Sequence, residues 1–224
     1  MNPRRLLTSA AVLALLALPS SASAAGTLQP GAFMETDVGQ CTLSFAFTGS
    51  GGTYFSTAAH CTEAANQVVR DMDGDRFGTV ALRGDPDVNA EDYAFILVDT
   101  EDLARVSPQV KGSPQYPTGV TTPGLTSFGD TIQLSGFGLP FRPLALTRER
   151  RNALMGNDTE TTYDIIGPAL QGDSGGPVVH IRTGRALGIV SRLCIGVCTA
   201  EGPTVQGALA KARARGLTLS IRTA

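Results

Sequence analysis

The chain has 224 residues, with 18 Lys and Arg against 20 Asp and Glu and a formal net charge of −2 at pH 7. So even a balance excludes the basic face of a nucleic-acid binder and the acidic tail of a charge-driven adaptor. With 26 Gly, 13 Pro and 42% hydrophobic residues, the composition suits one globular unit of turns and short strands.

Arg4 and Arg5 precede an apolar run, Leu6 to Leu18, which ends at Ala22-Ser23-Ala24. A charged start, a short apolar stretch and a small-x-small end read as a secretory signal over residues 1–24. The run falls short of the roughly 20 apolar residues that a membrane-spanning helix needs. A free, exported product without membrane contact is expected, and 4 cysteines in such a chain pair into two disulfides with three possible connectivities.

From Cys41 the chain alternates, Cys41, Leu43, Phe45 and Phe47 on one face and Thr42, Ser44, Ala46 and Thr48 on the other. A period of two predicts a half-buried strand. Gly49 to Gly52 turns it into a hairpin with Thr53–Thr57. Short apolar runs follow at Gln67–Arg70, Phe77–Arg83 and Tyr93–Val98. Asp71, Asp73 and Asp75 flank Gly74, but the spacing misses a calcium loop and reads as a tight turn.

Residues 113–124 collect Pro114, Pro117 and Pro123 among Gly, Ser and Thr. They form the expected linker between a unit over 25–112 and a second over 125–224. The second unit repeats the short strands at Thr131–Phe137, Leu144–Arg148, Thr161–Ile166, Pro177–Arg182 and Arg185–Ser191, and Arg148 to Arg151 read as the solvated face of a turn. Val205, Ala208, Leu209 and Ala212 recur at helical spacing, with Gly216 as the C-terminal cap.

Gly172-Asp173-Ser174-Gly175-Gly176-Pro177 carries the chemistry. Glycines on both sides of Ser174 let a substrate approach and free backbone amides, those of Gly172 and Ser174, to hold an oxyanion. A loose turn is the bland alternative, so the partners of Ser174 decide. The same stretch fits the G-x-S-x-G elbow of α/β-hydrolases, but that elbow needs a histidine well downstream. His180 follows by only six residues, and helices between strands are lacking. The remaining histidine is His60, in Thr57-Ala58-Ala59-His60-Cys61.

TAAHC around His60 and GDSGGP around Ser174, in this order, resemble the chymotrypsin-like (trypsin-like) serine peptidases, in the style of their secreted bacterial members. The resemblance implies two antiparallel six-stranded β-barrels with a short C-terminal helix, an all-β fold with the site between barrels. The first would carry His60 and Asp92, the second Ser174. Asp92, which opens the apolar run Tyr93 to Ile96, looks like the family's aspartate; Asp85, Asp87, Glu91 and Asp99 are its rivals.

By the same resemblance Ser174 is the nucleophile, His60 the base and Asp92 its orienting acid, acting without metal or cofactor on polypeptides as a secreted, monomeric endopeptidase. The alternatives are a non-catalytic binding or adhesion protein of this fold and an esterase with the same triad. Cys41–Cys61 resembles the bridge that pins the histidine loop, and Cys194–Cys198 would pair locally. Asp173 is expected to face a buried cation. An Ile-Val-Gly-Gly start is missing, so the cation falls to an arginine, Arg142, Arg148, Arg150 or Arg151. The primary pocket is expected from Pro168, Ala169, Gln171, Ser191 and Leu193. Pro168 stands where trypsin has its acid, which implies a preference for small or medium apolar residues.

Overall fold

The computed structural model describes residues 26–113, 115–122, 125–138, 150–193 and 199–224. In the first half, apolar runs broken by Gly and Asp become seven strands: β1 (Phe33–Thr36), β2 (Gly39–Thr42), β3 (Ala46–Gly49), β4 (Gly52–Thr57), β5 (Val68–Arg70), β6 (Arg76–Arg83) and β7 (Ala94–Val98). The second half gives β8 (Thr131–Ser135), β9 (Arg150–Asp158), β10 (Thr162–Ile166), β11 (Pro177–His180), β12 (Arg185–Ile189), β13 (Arg192–Leu193) and β14 (Ala200–Pro203). Then come helix α1 (Val205–Ala214) and β15 (Leu219–Ile221).

Two antiparallel sheets result, one in the order β15-β3-β4-β7-β6-β5-β1-β2, the other β12-β11-β8-β9-β10-β14-β13. The all-β class with one short terminal helix is as expected. The sheets have eight and seven strands among the described residues rather than six each. The short β1 and β15 lack the alternation that would announce them.

Two local expectations are corrected. Cys41 to Phe47 is not a half-buried strand: every residue in it is buried, and regular pairing stops between Thr42 and Ala46. Its hydroxyl face meets protein instead of water, since Thr42 bonds to the loop that carries Ser174. Arg150 and Arg151 do not cap a turn either; they open the nine-residue β9. Ladders with β8 on one side and β10 on the other override the local charge there. The strand expected at Leu144–Arg148 lies outside the described residues.

Three apolar clusters hold the sheets. Met34, Leu43, Phe55, Phe77 and Ile96 fill the first, and Ile132, Leu134, Tyr163, Ile165 and Val178 the second. Between them Phe45, Phe47 and Phe95 meet Val179, Ile189 and the inner face of α1. Taking each such side chain from water contributes about 1.5–3 kcal/mol. Thr204 caps α1 by accepting the Gly207 N–H at 3.0 Å, and Gly216, at φ +90°, closes it as the sequence predicts.

The Asp71 turn also forms. Its Oδ1 accepts the N–H groups of Asp73 and Asp75, both at 3.0 Å, and Arg105 takes Oδ2. The carboxylate is engaged by its own turn and a guanidinium. Residues 118–121 lie along the β11–β12 hairpin, with the Thr118 N–H on Gly184 O and the Thr121 N–H on Ala186 O, each at 2.8 Å. Among the described residues no helix is long and apolar enough to cross a membrane.

Candidate active site

Antiparallel β4 and β7 pair in a register that sets Thr57 opposite Ala94. The chain leaving β4 and the chain entering β7 therefore share one end of the sheet. A 3₁₀ turn, Ala59–Cys61, follows β4 and presents His60. Another, Asn89–Glu91, delivers Asp92 two residues before β7. His60 Nδ1 lies 2.7 Å from Asp92 Oδ2, and the His60 backbone N–H donates to Oδ1 at 2.9 Å. Of the carboxylates weighed from sequence, Asp92 alone reaches this imidazole; Asp99, for one, pairs with Arg76.

Asp92 is wholly buried, whereas the His60 side chain is 36% exposed. Ser191 completes the carboxylate's surroundings by donating its Oγ–H to Oδ2. Burial alone pushes the Asp92 carboxyl up; the hydrogen bond and charge of His60, with the Ser191 hydroxyl, outweigh it and hold the carboxyl below its ordinary value. An ionised Asp92 only accepts, so Nδ1 of His60 carries the hydrogen, and in the neutral ring the lone pair is then on Nε2.

Ser174 stands in the loop before β11, across the interface. That loop is clamped to the end of β12 by Gly175 N–H on Val190 O at 2.7 Å and Val190 N–H on Gly176 O at 2.9 Å. Only glycine suits position 175. Its φ is +86°, and a Cβ there would sit 2.3 Å from the Thr42 carbonyl oxygen. Ser174 and His60 line the same two cavities, of about 430 and 630 Å³. Neither Ser174 Oγ nor His60 Nε2 has a hydrogen-bond partner among the described residues. Such catalytic contacts commonly close only around substrate.

The amides of the loop divide sharply. Asp173, Gly175 and Gly176 each donate within the protein, to Leu170, Val190 and Asp173 carbonyls at 3.0, 2.7 and 2.7 Å. The N–H groups of Gly172 and Ser174 have no acceptor among the described residues. In a trans peptide the N–H points opposite the carbonyl. The Asp173 carbonyl is turned to Gly176, so the Ser174 N–H faces the other way. An unengaged backbone donor is thereby left beside the serine hydroxyl.

Asp173 points away from the cavity. It accepts the N–H groups of Leu170 at 2.7 Å and Gly138 at 3.0 Å, and Arg151 Nη2 approaches Oδ1 to 2.5 Å. Of the four arginines considered, Arg151 is this partner; Arg142 and Arg148 lie outside the described residues, and Arg150 is exposed at the start of β9.

The larger cavity takes Gln171, Ser191 and Leu193 of the five expected pocket residues into its wall. Pro168 is exposed, its carbonyl on Arg151 at 2.9 Å. Ala169 packs against the second core. Cys41 and Cys61 form a disulfide. Their sulfurs and a His60 nitrogen lie within 4.8 Å of one another, but bonded to each other the sulfurs offer no thiolate to a metal. Cys194 and Cys198 lie outside the described residues. Thr42 and the Asp92 contact of Ser191 went unread in the sequence. Their signal was faint: a hydroxyl beside Cys41, and a serine at a strand end.

Comparison with known proteins gives the family and the fold. The trypsin family profile matches residues 36–212. No curated protein sequence matches the chain. Among solved structures, a glutamic-acid-specific serine protease with a histidine triad in substrate binding superposes with a TM-score of 0.62 at 21% identity, covering 86% of this chain and 100% of its own. Protease A of Thermobifida fusca and the Nocardiopsis protease each give 0.61 at 20% identity, covering 88% of this chain and 100% of theirs. At such identities the likeness carries the fold.

Proposed function

The chain belongs to the trypsin family of serine endopeptidases, and on that premise we propose that Ser174, His60 and Asp92 form its catalytic triad and cleave peptide bonds through an acyl-enzyme. Ser174 Oγ attacks the scissile carbonyl carbon while His60 Nε2 takes its proton. The N–H groups of Gly172 and Ser174 hold the resulting oxyanion. As the tetrahedral species collapses, the C–N bond breaks and His60 returns the proton to the departing amine. Water, deprotonated by the same Nε2, then releases the acid and frees Ser174.

One observation carries the reading. An imidazole oriented by a buried carboxylate faces the same cavities as a serine flanked by two unengaged amides. A binding or adhesion protein has no use for that combination. An esterase would use it too, and the family favours the peptidase. No step requires a cofactor.

The N-terminal pattern supports export by a signal over residues 1–24. The division into 25–112, a linker at 113–124 and 125–224, working as a secreted monomer, is part of the same proposal. The test is a fluorophosphonate probe followed by peptide mapping, beside a peptidase assay. Labelling at Ser174 that is lost in Ser174→Ala and strongly reduced in His60→Ala is expected. Peptidase activity surviving in Ser174→Ala would sink the proposal.

A further inference from the structure

Thr42 belongs to the first half of the chain, yet its polar atoms face the serine loop. It is wholly buried at the end of β2. Its N–H donates to the Ser174 carbonyl at 2.8 Å, and its Oγ1–H donates to the Gly172 carbonyl, also at 2.8 Å. The same Oγ1 accepts the Phe137 N–H at 2.9 Å, and the Thr42 carbonyl accepts the Thr57 hydroxyl at 3.0 Å. One residue thus grips the carbonyls on both sides of Asp173, while the Asp173 carbonyl is held by Gly176.

The consequence falls on Gly172. Its φ is +96°, a region glycine enters without strain and leaves as easily. Its own N–H is unengaged among the described residues, and on that side the backbone turn is closed by the Asp173 N–H on the Leu170 carbonyl at 3.0 Å. The direction of that N–H depends on what restrains the carbonyl side. The Gly172–Asp173 peptide plane is held at both ends: the Asp173 N–H donates to the Leu170 carbonyl within the loop, and the Thr42 hydroxyl, itself aimed by the Phe137 N–H, is the hold that reaches the carbonyl from the other half of the chain.

We propose that Thr42 is a positioning residue for the reaction: its Oγ1 holds the Gly172 carbonyl from outside the loop and, with the Leu170 turn bond, keeps the Gly172 N–H directed at the oxyanion. This rests on reading the Gly172 and Ser174 amides as oxyanion donors. Thr42 touches no substrate, so its removal acts on the transition state and leaves ground-state binding alone. Loss of its hydroxyl also takes from the half-buried Gly172 carbonyl its hydrogen bond, which favours rotation of the loop toward other partners.

The test compares Thr42→Val, Thr42→Ala and Thr42→Ser in burst kinetics with p-nitrophenyl acetate, an activated ester that asks nothing of specificity. Rates are normalised to the folded fraction from circular dichroism. Thr42→Val is expected to slow acylation about 10- to 100-fold, somewhat less than deletion of an oxyanion donor itself. The apparent ester affinity should stay within about twofold, and Thr42→Ser, which keeps the oxygen, should recover most of the rate. Thr42→Ala carries the same test should the valine methyl crowd the loop. An acylation rate in folded Thr42→Val or Thr42→Ala equal to wild type overturns the proposal. So does Thr42→Ser as slow as Thr42→Val, because the hydroxyl would then not be the cause. Ser174→Ala, run alongside, separates the two claims. A burst surviving in that variant fails the reading of the site, whereas a silent Ser174→Ala beside a normal Thr42→Val fails Thr42 alone.

Discussion

Arg151 Nη2 meets Asp173 Oδ1 at 2.5 Å, with the arginine side chain 9% exposed and the aspartate fully buried. This pair ties β9 to the residue before the proposed nucleophile. The same guanidinium donates to the Pro168 carbonyl at 2.9 Å, so both the lead-in and the turn of the serine loop hang on one side chain.

Removing one partner leaves a buried charge uncompensated, at a cost of about 3–5 kcal/mol. Arg151→Met is therefore expected to lower the unfolding free energy by several kcal/mol and to abolish most peptidase activity through disorder of the loop. Combining it with Asp173→Asn should recover part of the stability without the activity. Denaturant titration of the two single variants and the double variant measures the coupling. Independent, additive losses would show that the pair is not the anchor.

A second expectation concerns acid. The Asp92 carboxyl lies below its unfolded value, so it contributes stability that is fully present above that value, about 3.9, and lost as the pH falls through the folded one. Wild type should exceed Asp92→Asn in melting temperature at about pH 5, and the gap should close toward about pH 2. A gap that widens on acidification would reverse the sign and contradict the arrangement of His60 and Ser191 around Asp92.

The Cys41–Cys61 bridge joins β2 to the turn that carries His60, across a sequence separation of 20. Closing such a loop contributes about 2–4 kcal/mol. The double variant Cys41→Ala/Cys61→Ala should lose roughly that much in denaturant titration. Its turnover should fall more than its substrate affinity, because Cys61 adjoins His60. Unchanged stability would mean that the reduced loop is already held by its other contacts.

The proposed cleavage preference follows from the larger cavity. Leu170, Val190 and Leu193 give it apolar walls. Of its two carboxylates, Asp92 is engaged by His60 and Ser191, and Asp87 is exposed on the rim. A peptide library should show small or medium apolar residues on the acyl side of the cut, and Leu193→Gly should widen acceptance toward aromatic residues. Dominant cleavage after Lys or Arg would assign Asp87 the role of pocket acid.

What the sequence reveals is local chemistry. TAAHC and GDSGGP are contiguous, so His60 and Ser174 are readable from the chain, as is Asp92 at the head of an apolar run. The α1 cap at Gly216 is readable for the same reason. Contacts made by register are not. Arg151 resembles its three fellow candidates until β9 pairs with β8 and aims it at Asp173. Thr42 looks like the wet face of a strand until the serine loop covers it. Pro168 and Leu193 are near neighbours in an expected pocket, yet the chain path leaves only Leu193 on the wall.

β15 pairs with β3 through Leu219↔Gly49, Ser220↔Thr48 and Ile221↔Phe47. The first sheet is thus finished by residues made after the whole of the second. Until those last residues dock, β3 has an open edge and the sheet that carries the His60 turn is unfinished. Chain order therefore makes completion of the first sheet wait on the second half. A peptidase gains from that dependence, because the proposed nucleophile and base then come together late in folding, when little of the same chain is left unfolded.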